Sequence, residues 1–188
     1  MKKNEKNPED RLITRAKKGD MEAFEVLVRK YQQGIYRLCR RMTGAHQSAD
    51  DLSQEAFIKA YFSLPTFKDG KNFYTWIRKI AVNNSLNYLK AQMREEPLDE
   101  RESRIPGKSS LTGQELPQDR VQRNHLEQKF KKALKALPAD QKIVFCLRFY
   151  EDLSYKEISQ LMNLPNGTVM SRLNRTRKKL KALMSGYL

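Results

Sequence analysis

The sequence is poor in the residue types that most often build metal sites, disulfides and turns. Its 188 residues include only 2 cysteines, Cys39 and Cys146, and 2 histidines, too few for a disulfide framework or a metal cluster. Its 8 glycines are few for the many turns of a β-sandwich or barrel. No apolar run approaches the ~18 residues of a membrane span, and the first residues have no apolar signal-peptide core. We therefore expect a cytoplasmic protein with no metal, no cofactor and no membrane insertion.

Positive charge is what the chain has in excess. It contains 37 Lys and Arg against 22 Asp and Glu, for a formal net charge of +15. Such a surplus favours a polyanionic partner. Nucleic acid is favoured over a membrane surface as that partner, because no basic helix carries a bare apolar face. A basic surface that serves solubility alone is the alternative.

Charge and proline content divide the chain into three parts. Residues 1–90 carry 18 basic and 10 acidic side chains, residues 91–120 carry 5 and 7, and residues 121–188 carry 14 and 5. The middle part also holds three prolines and has no sustained helical or strand period. We predict one domain over 1–92, a flexible linker over 93–120 and a second domain over 121–188.

In both predicted domains, apolar residues recur every three and four positions, as in helices. Neither domain shows the alternation of apolar and polar residues that is typical of strands. The first helix is expected to begin at Asn7-Pro8, and the third to be capped near Ser48. The predicted helices cover about residues 8–19, 21–44, 48–65, 73–89, 121–137, 139–150, 154–162 and 167–184. The fold class is therefore all-α, with two small helical domains.

Residues 153–169 form the most specific motif of the chain. Ser154 and Glu157 have the spacing of a capping box, and the tight break that follows leaves Asn166 or Thr168 to cap a second helix. Two short helices joined in this way form a helix-turn-helix. Its second helix is expected to present polar and basic side chains to a DNA major groove: Ser171, Arg172, Asn174, Arg175, Arg177 and Lys178. A solvated basic helix is the alternative.

An acidic group stands out in the basic first domain. Asp51, Gln54 and Glu55 share one helix face at three- and four-residue spacing. Such a surface repels DNA and suits a basic protein partner. The alternative is a helix N-terminus whose acids offset the helix dipole, which accounts for Asp51 better than for Gln54 and Glu55.

Residues 67–79 interleave aromatic and basic side chains around a loop. Single-stranded nucleic acid is held by bases stacked on aromatic rings while cations follow the backbone, although packing into a core explains much of the aromatic pattern. The candidate contacts to a single strand are Lys68, Asn72, Tyr74, Trp76, Arg78, Lys79, Asn83, Asn84 and Asn87.

Four strings in this order resemble the bacterial RNA polymerase sigma factors of the extracytoplasmic-function (ECF) type. They are residues 19–36, 51–61, 73–84, and a last string made of 137–138, 153–158 and 167–173. The resemblance implies that the first domain docks on the polymerase clamp through Asp51, Gln54 and Glu55. It further implies that this domain captures a flipped base and the melted non-template strand of the −10 promoter element.

The same resemblance implies that the second domain reads the −35 element, with Thr168 among the contacting residues, and meets the polymerase flap. The implied partners are core RNA polymerase, promoter DNA and an anti-sigma factor. Asn174 stands where relatives often carry histidine, so the −35 preference is expected to differ.

Two other classes of protein were weighed against this reading. A stand-alone helix-turn-helix regulator needs an apolar pocket or a dimerisation helix in the first domain, where the acidic group stands instead. A DNA-processing enzyme needs clustered carboxylates for a metal, or a nucleophile with a base. Asp50, Asp51 and Glu55 are the one such cluster, without an accompanying nucleophile, so we expect no enzymatic activity and no catalytic residue.

Overall fold

The computed structural model describes residues 7–95 and 117–185, and these are helical with short connections. The helices are α1 (Pro8–Ala16), α2 (Met21–Thr43), α3 (His46–Ser63), α4 (Phe73–Glu95), α5 (Pro117–Lys135), α6 (Ala139–Phe149), α7 (Tyr155–Met162) and α8 (Asn166–Leu183), with a short 3-10 turn at Leu64–Thr66. No strand occurs in the described ranges. The predicted all-α class is confirmed.

The chain divides into two compact units between Ser85 and Leu86. Helix α4 extends to Glu95 and α5 begins at Pro117, so helix occupies both ends of the segment predicted as a linker. The middle of that segment, residues 96–116, lies outside the described residues. The boundaries 1–92, 93–120 and 121–188 stay a prediction.

The first unit is built on the long helix α2. Asp20 caps α2 by accepting a hydrogen bond from the Ala23 backbone N–H at 3.0 Å, and Gly44 ends it with a φ of 82°, a conformation that glycine adopts without strain. Helix α2 packs against α1 and α3, and its Tyr31 ring contacts Phe73 and Tyr74 of α4. The fully buried large side chains of this unit are Leu27, Ile35, Leu38, Met42, Leu64, Phe73, Ile77 and Val82.

The predicted cap of α3 at Ser48 is wrong. Helix α3 begins at His46, and its N-cap, Ala45, makes no side-chain hydrogen bond to the helix. Instead, the Thr43 hydroxyl accepts a hydrogen bond from the Ala45 backbone N–H at 3.4 Å. Since Gly44 already turns the chain, α3 begins as soon as the turn is complete.

The second unit places α6, α7 and α8 around buried Ile143, Leu147 and Ile158. The capping box of Ser154 and Glu157 is present at the start of α7, and Asn163 ends that helix with a φ of 53°. The predicted caps of α8 are wrong, because its N-cap is Pro165 and no side-chain cap bond is made. The Thr168 backbone N–H bonds to the Pro165 carbonyl at 2.9 Å, so both Asn166 and Thr168 already lie within the first turn.

Both cysteines are buried. Burial raises the pKa of the Cys39 thiol to about 11, although a hydrogen bond from Ser85 opposes the shift. No helix in the described part of the chain is both long and apolar enough to cross a bilayer.

Candidate polymerase and nucleic-acid interfaces

Four polar residues on the solvent side of α3 form the acidic surface, defined as Asp50, Asp51, Gln54 and Glu55. Asp51 and Gln54 are exposed and Glu55 is half-exposed. The Gln54 amide nitrogen donates to Asp50 Oδ2 at 3.1 Å, and the Glu55 carboxylate pairs with Lys59 at 2.6 Å. The charge of Glu55 is therefore partly offset, and Asp50 and Asp51 provide the net negative charge of this surface.

The aromatic side chains of residues 67–79 serve mainly the core. Phe67 and Phe73 are buried, and the half-buried Trp76 ring has its centroid 5.1 Å from Phe67 and 5.6 Å from Phe73. Trp76 therefore packs against the core and is only partly accessible to a nucleic acid.

Tyr74 is held between helices α2 and α4. Its ring stacks on Tyr31 with 5.4 Å between centroids, and the Arg78 guanidinium lies 5.5 Å from the Tyr74 centroid. Gly34 leaves room for this ring, since a Cβ built on Gly34 would lie 3.3 Å from it. The predicted DNA contacts Tyr74 and Arg78 are thus both half-buried and engaged with each other.

The loop before α4 exposes Lys68 and Lys71. Asn72, predicted to contact DNA, uses its side-chain oxygen to accept hydrogen bonds from the Thr75 backbone N–H at 2.8 Å and from the Thr75 hydroxyl at 3.1 Å. Its carboxamide therefore caps α4. Lys79, Asn83 and Asn87 are exposed on α4 at four-residue spacing.

An open depression lies between the end of α3 and α4, and we name it the α3–α4 depression. It is lined by Lys59, Phe62, Ser63, Ile80, Asn83 and Asn84. The Phe62 side chain is 77% exposed, which is unusual for a phenylalanine. An exposed aromatic ring at the rim of a depression lined by both apolar and polar side chains offers a surface suited to base stacking.

Asn84 lies at the buried side of this depression and is 6% exposed. Its Oδ1 accepts a hydrogen bond from Lys59 Nζ at 2.9 Å, which fixes the orientation of the amide because an ammonium group can only donate. The Asn84 Nδ2 is buried and has no hydrogen-bond partner among the described residues. Buried donors rarely stay unpaired, which marks Asn84 as a candidate contact for a ligand.

The sequence pattern indicates Asn83, Asn84 and the loop that begins at Ser63 as base contacts, but it does not indicate Lys59 or Phe62. The sequence did carry a signal for exposed apolar residues here. The end of α3 has more apolar residues than one helix face can bury: Phe57, Ile58, Tyr61 and Phe62. In the structure Phe57 is buried while Ile58 and Phe62 are exposed. Spacing alone does not show which of these residues face solvent.

Helix α8 buries one face and exposes the other. Val169, Leu173, Thr176 and Leu180 are buried. The exposed residues from the sequence prediction are Ser171, Asn174, Arg175, Arg177 and Lys178. We name Ser171, Asn174, Arg175 and Lys178 the α8 polar face, because their spacing of three and four residues aligns them along the helix.

Two of the predicted α8 residues are less accessible. Thr168 is half-buried. Arg172 is half-buried as well, and its Nη2 lies 3.1 Å from Asp140 Oδ2. The expectation that Arg172 points outward with its neighbours is therefore not met, because α6 supplies an anionic partner for it.

Comparison with protein families gives two matches in chain order. The family model Sigma-70 region 2 matches residues 27–95, and the model Sigma-70, region 4 matches residues 127–180. An all-helical chain with these two regions has the architecture of a sigma factor, the class of protein that directs RNA polymerase to promoters.

Curated relatives narrow this class. The chain is 38% identical over 180 residues to the RNA polymerase sigma-H factor of Pseudomonas aeruginosa, covering 93% of each chain. It is 34% identical over 176 residues to the ECF RNA polymerase sigma factor SigW of Bacillus subtilis strain 168, covering 90% of this chain and 92% of that one. It is also 37% identical over 174 residues to the ECF RNA polymerase sigma-E factor of Escherichia coli strain K12, covering 90% of each. The chain belongs to the ECF family of RNA polymerase sigma factors.

Solved structures share the fold. One is CnrH in complex with the cytosolic domain of CnrY, with a TM-score of 0.63 at 20% identity, covering 97% of this chain and 100% of that one. Another is the sigma factor RpoE of Bartonella quintana in complex with the anti-sigma factor NepR, with a TM-score of 0.61 at 24% identity, covering 89% and 100%. The family assignment confirms the predicted resemblance, and a sigma factor is favoured over a stand-alone regulator.

Proposed function

We propose that this sigma factor divides promoter recognition between its two units. The first unit docks on core RNA polymerase and holds the melted −10 element, and the second unit reads the −35 element as duplex. The proposal keeps the predicted domains 1–92 and 121–188, with residues 93–120 as the connection between them. Because the polymerase partner is cytoplasmic, the protein acts there.

The observation that carries the proposal is Asn84 Nδ2, which has no hydrogen-bond partner in residues 7–95 and 117–185, on the same α3–α4 depression as exposed Phe62. A flipped base needs a flat apolar surface for its face and a hydrogen-bond partner for its edge. Phe62 supplies the first and Asn84 the second, since every base carries an acceptor that an amide N–H can reach. Lys59 holds the amide with its nitrogen free for this contact.

Around this depression, exposed cations and amides suit the strand that carries the flipped base. Lys68 lies on the neighbouring loop, and Lys79 and Asn83 are exposed on α4. Lysines pair with phosphates in any sequence, whereas amides can read base edges. Asn72, Tyr74, Trp76 and Arg78 then act by supporting α4 rather than by contacting the strand.

The α8 polar face suits a DNA major groove. A guanidinium can bind the guanine O6 and N7 pair and an asparagine the adenine N6 and N7 pair. Arg175 and Asn174 are both exposed for such contacts. Arg177 and Lys178 supply positive charge for the phosphates.

The acidic surface of α3 suits a basic patch on the polymerase clamp. Charge complementarity there orients the complex and speeds association. We also propose an anti-sigma factor as a partner, in line with the complex that the RpoE structure contains.

Transcription by purified core polymerase with this protein tests the proposal. Promoter-dependent run-off transcripts should require the protein, and should fall when either the −10 or the −35 element is replaced. Phe62→Ala should lower open-complex formation about fivefold or more, since a stacked base contributes about 1–3 kcal/mol. Val26→Ala, which truncates another exposed apolar side chain of the first unit, is the matched control. Equal open-complex yields for the two variants would contradict the base-capture role.

A further inference from the structure

Lys17, just after α1, is bound to the loop that precedes α4, some fifty positions later in the chain. Its ammonium donates to the Phe67 carbonyl oxygen at 2.5 Å and to Asp69 Oδ1 at 2.6 Å. The Lys17 side chain is 20% exposed, although lysine is normally among the most exposed residues. Lys17 lies outside residues 27–95, which match the region 2 model.

The same loop is fixed at both of its ends by other contacts. Phe67 is buried at one end, and Asn72 caps α4 at the other. Between them, Gly70 has a φ of 75°, a left-handed turn that favours glycine. A cavity of about 80 Å³, lined by residues that include Ile13 and Asp69, lies between α1 and the loop. Close packing therefore does not fill this interface, and the Lys17 contacts bridge it.

The loop lies in the connection between the two walls of the α3–α4 depression. Ser63 on one side of the depression leads into the loop through the 3-10 turn Leu64–Thr66, and the loop leads directly into α4, which carries Asn83 and Asn84 on the other side. A displacement of the loop is therefore expected to move the start of α4 relative to the end of α3. Sites that read a base tolerate displacements of only about 0.5 Å.

Lys17 also offsets a charge that would oppose DNA. The Asp69 side chain is 77% exposed and lies in the chain between the exposed lysines Lys68 and Lys71. Without the Lys17 ammonium, the Asp69 carboxylate would repel the phosphates of the bound DNA strand. The ion pair leaves Lys68 and Lys71 as the net charge of the loop.

We propose that Lys17 is a positioning residue for −10 recognition, which holds residues 67–72 in the conformation that shapes the base site and neutralises Asp69. This inference rests on the proposed function, in which the α3–α4 depression receives a base of the −10 element. It assigns a role in promoter selectivity to α1, which makes none of the proposed DNA contacts itself.

The test compares Lys17→Met with Lys18→Met, which removes the same charge from the exposed neighbouring residue. Holoenzyme is assembled from the full chain and core polymerase. Open-complex formation is then measured on a promoter and on variants with single substitutions in the −10 element. Lys17→Met should lower the ratio of open-complex formation on the preferred promoter to that on the substituted promoter about fivefold or more, because the loop loses both of its bonds to the Lys17 ammonium. Core polymerase affinity should stay within about twofold, and Lys18→Met should keep the wild-type ratio.

Further variants separate charge from position. Asp69→Asn breaks the ion pair but leaves the bond from Lys17 to the Phe67 carbonyl, so it should retain most of the selectivity. Lys17→Met with Asp69→Asn should regain the wild-type dependence of DNA affinity on salt while selectivity stays low. Lys17→Arg should restore part of the selectivity. If Lys17→Met fails to fold, Asp69→Asn and Lys17→Arg remain as the test. Their promoter selectivity reports on whether Lys17 positions the loop, and the salt dependence of their DNA affinity reports on whether it neutralises Asp69.

The outcomes distinguish the inference from the function on which it rests. A wild-type protein that discriminates among −10 variants, together with Lys17→Met discriminating equally well, overturns the role of Lys17 and leaves the proposed function intact. A wild-type protein with core-dependent transcription but no response to −10 substitutions overturns both.

Discussion

Arg172 on α8 and Asp140 in the first turn of α6 form an ion pair, with 3.1 Å between Nη2 and Oδ2. The two side chains are 23% and 32% exposed. The pair joins α8 to the helix that precedes the helix-turn-helix. Arg175, three residues later, is exposed, and the two arginines therefore have different tasks.

Replacing these two arginines with alanine should have different effects. Arg172→Ala should lower the free energy of unfolding by about 1 kcal/mol, because the partly buried Asp140 carboxylate loses the nearer of its two cations and keeps only Lys90, at 3.5 Å. Arg175→Ala should leave stability within about 0.5 kcal/mol and weaken −35 binding by about 1–3 kcal/mol. Denaturant unfolding and footprinting of the upstream element measure the two quantities. Loss of stability in Arg175→Ala with none in Arg172→Ala would show that Arg175, and not Arg172, has the structural role.

Substitutions in the acidic surface should weaken polymerase binding without unfolding the protein. Asp51→Asn and Gln54→Ala remove exposed groups from α3, so the core helices should be unaffected. Affinity for core polymerase, measured by fluorescence titration, should fall several-fold in each variant. Glu22→Gln removes an exposed acidic charge from α2 and should bind as wild type does. Wild-type affinity of both α3 variants would exclude the acidic surface from the polymerase interface.

The contribution of Glu9 to stability should depend on pH. Its carboxylate accepts hydrogen bonds from Lys30 and from the Tyr31 hydroxyl. Burial alone raises the pKa of Glu9, but these two hydrogen bonds outweigh it and hold the pKa below 4.5. Because the folded pKa is the lower one, the stabilisation is complete above pH 4.5 and is lost as the pH falls through the folded value.

The variant Glu9→Gln should therefore be less stable than wild type by about 1 kcal/mol at pH 7, and the difference should narrow only below pH 4.5. Urea unfolding at a series of pH values measures it. Glu25→Gln, which breaks an exposed pair with Arg29, should change stability by less than about 0.5 kcal/mol. A Glu9→Gln difference that is constant from pH 7 to pH 3 would show that the charge of Glu9 is not the cause.

Loss of the Ser154 hydroxyl should destabilise the helix-turn-helix. Its Oγ accepts a hydrogen bond from the Glu157 backbone N–H at 3.2 Å and donates to the Glu157 carboxylate at 2.7 Å. Ser154→Ala should cost about 1 kcal/mol in thermal or denaturant unfolding. Ser171→Ala removes a hydroxyl from the α8 polar face and should change −35 binding rather than stability. Equal stability losses in the two variants would argue against a specific role of the capping box.

Much of the fold follows from local chemistry. The three- and four-residue spacing of apolar side chains predicts the helices, because a helix buries one face irrespective of its partner. The capping box at Ser154 was equally predictable, since both partners lie within one turn. The caps of α3 and α8 were not, because Gly44 and Pro165 position the chain through the backbone and leave the nearby polar side chains unused.

The candidate site was predictable in part. The exposed residues of α8 follow from helical spacing, with the exception of Arg172, whose partner Asp140 is 32 positions earlier and on another helix. In the first unit, the aromatic residues near α4 were correctly suspected of packing. Phe62 lies outside residues 67–79, where aromatic and basic residues alternate. That pattern therefore does not show that the Phe62 ring is exposed.

The sequence by itself determined the all-helical class, the basic character of both ends, the helix-turn-helix and the resemblance to ECF sigma factors. These depend on residue spacing and composition, which are local properties. The tertiary structure decided how the polar groups are used: Lys59 binds Asn84 Oδ1, Arg172 binds Asp140, and Lys17 binds the loop before α4. Each of these pairs joins residues far apart in the chain, and the contacts form only when the helices pack.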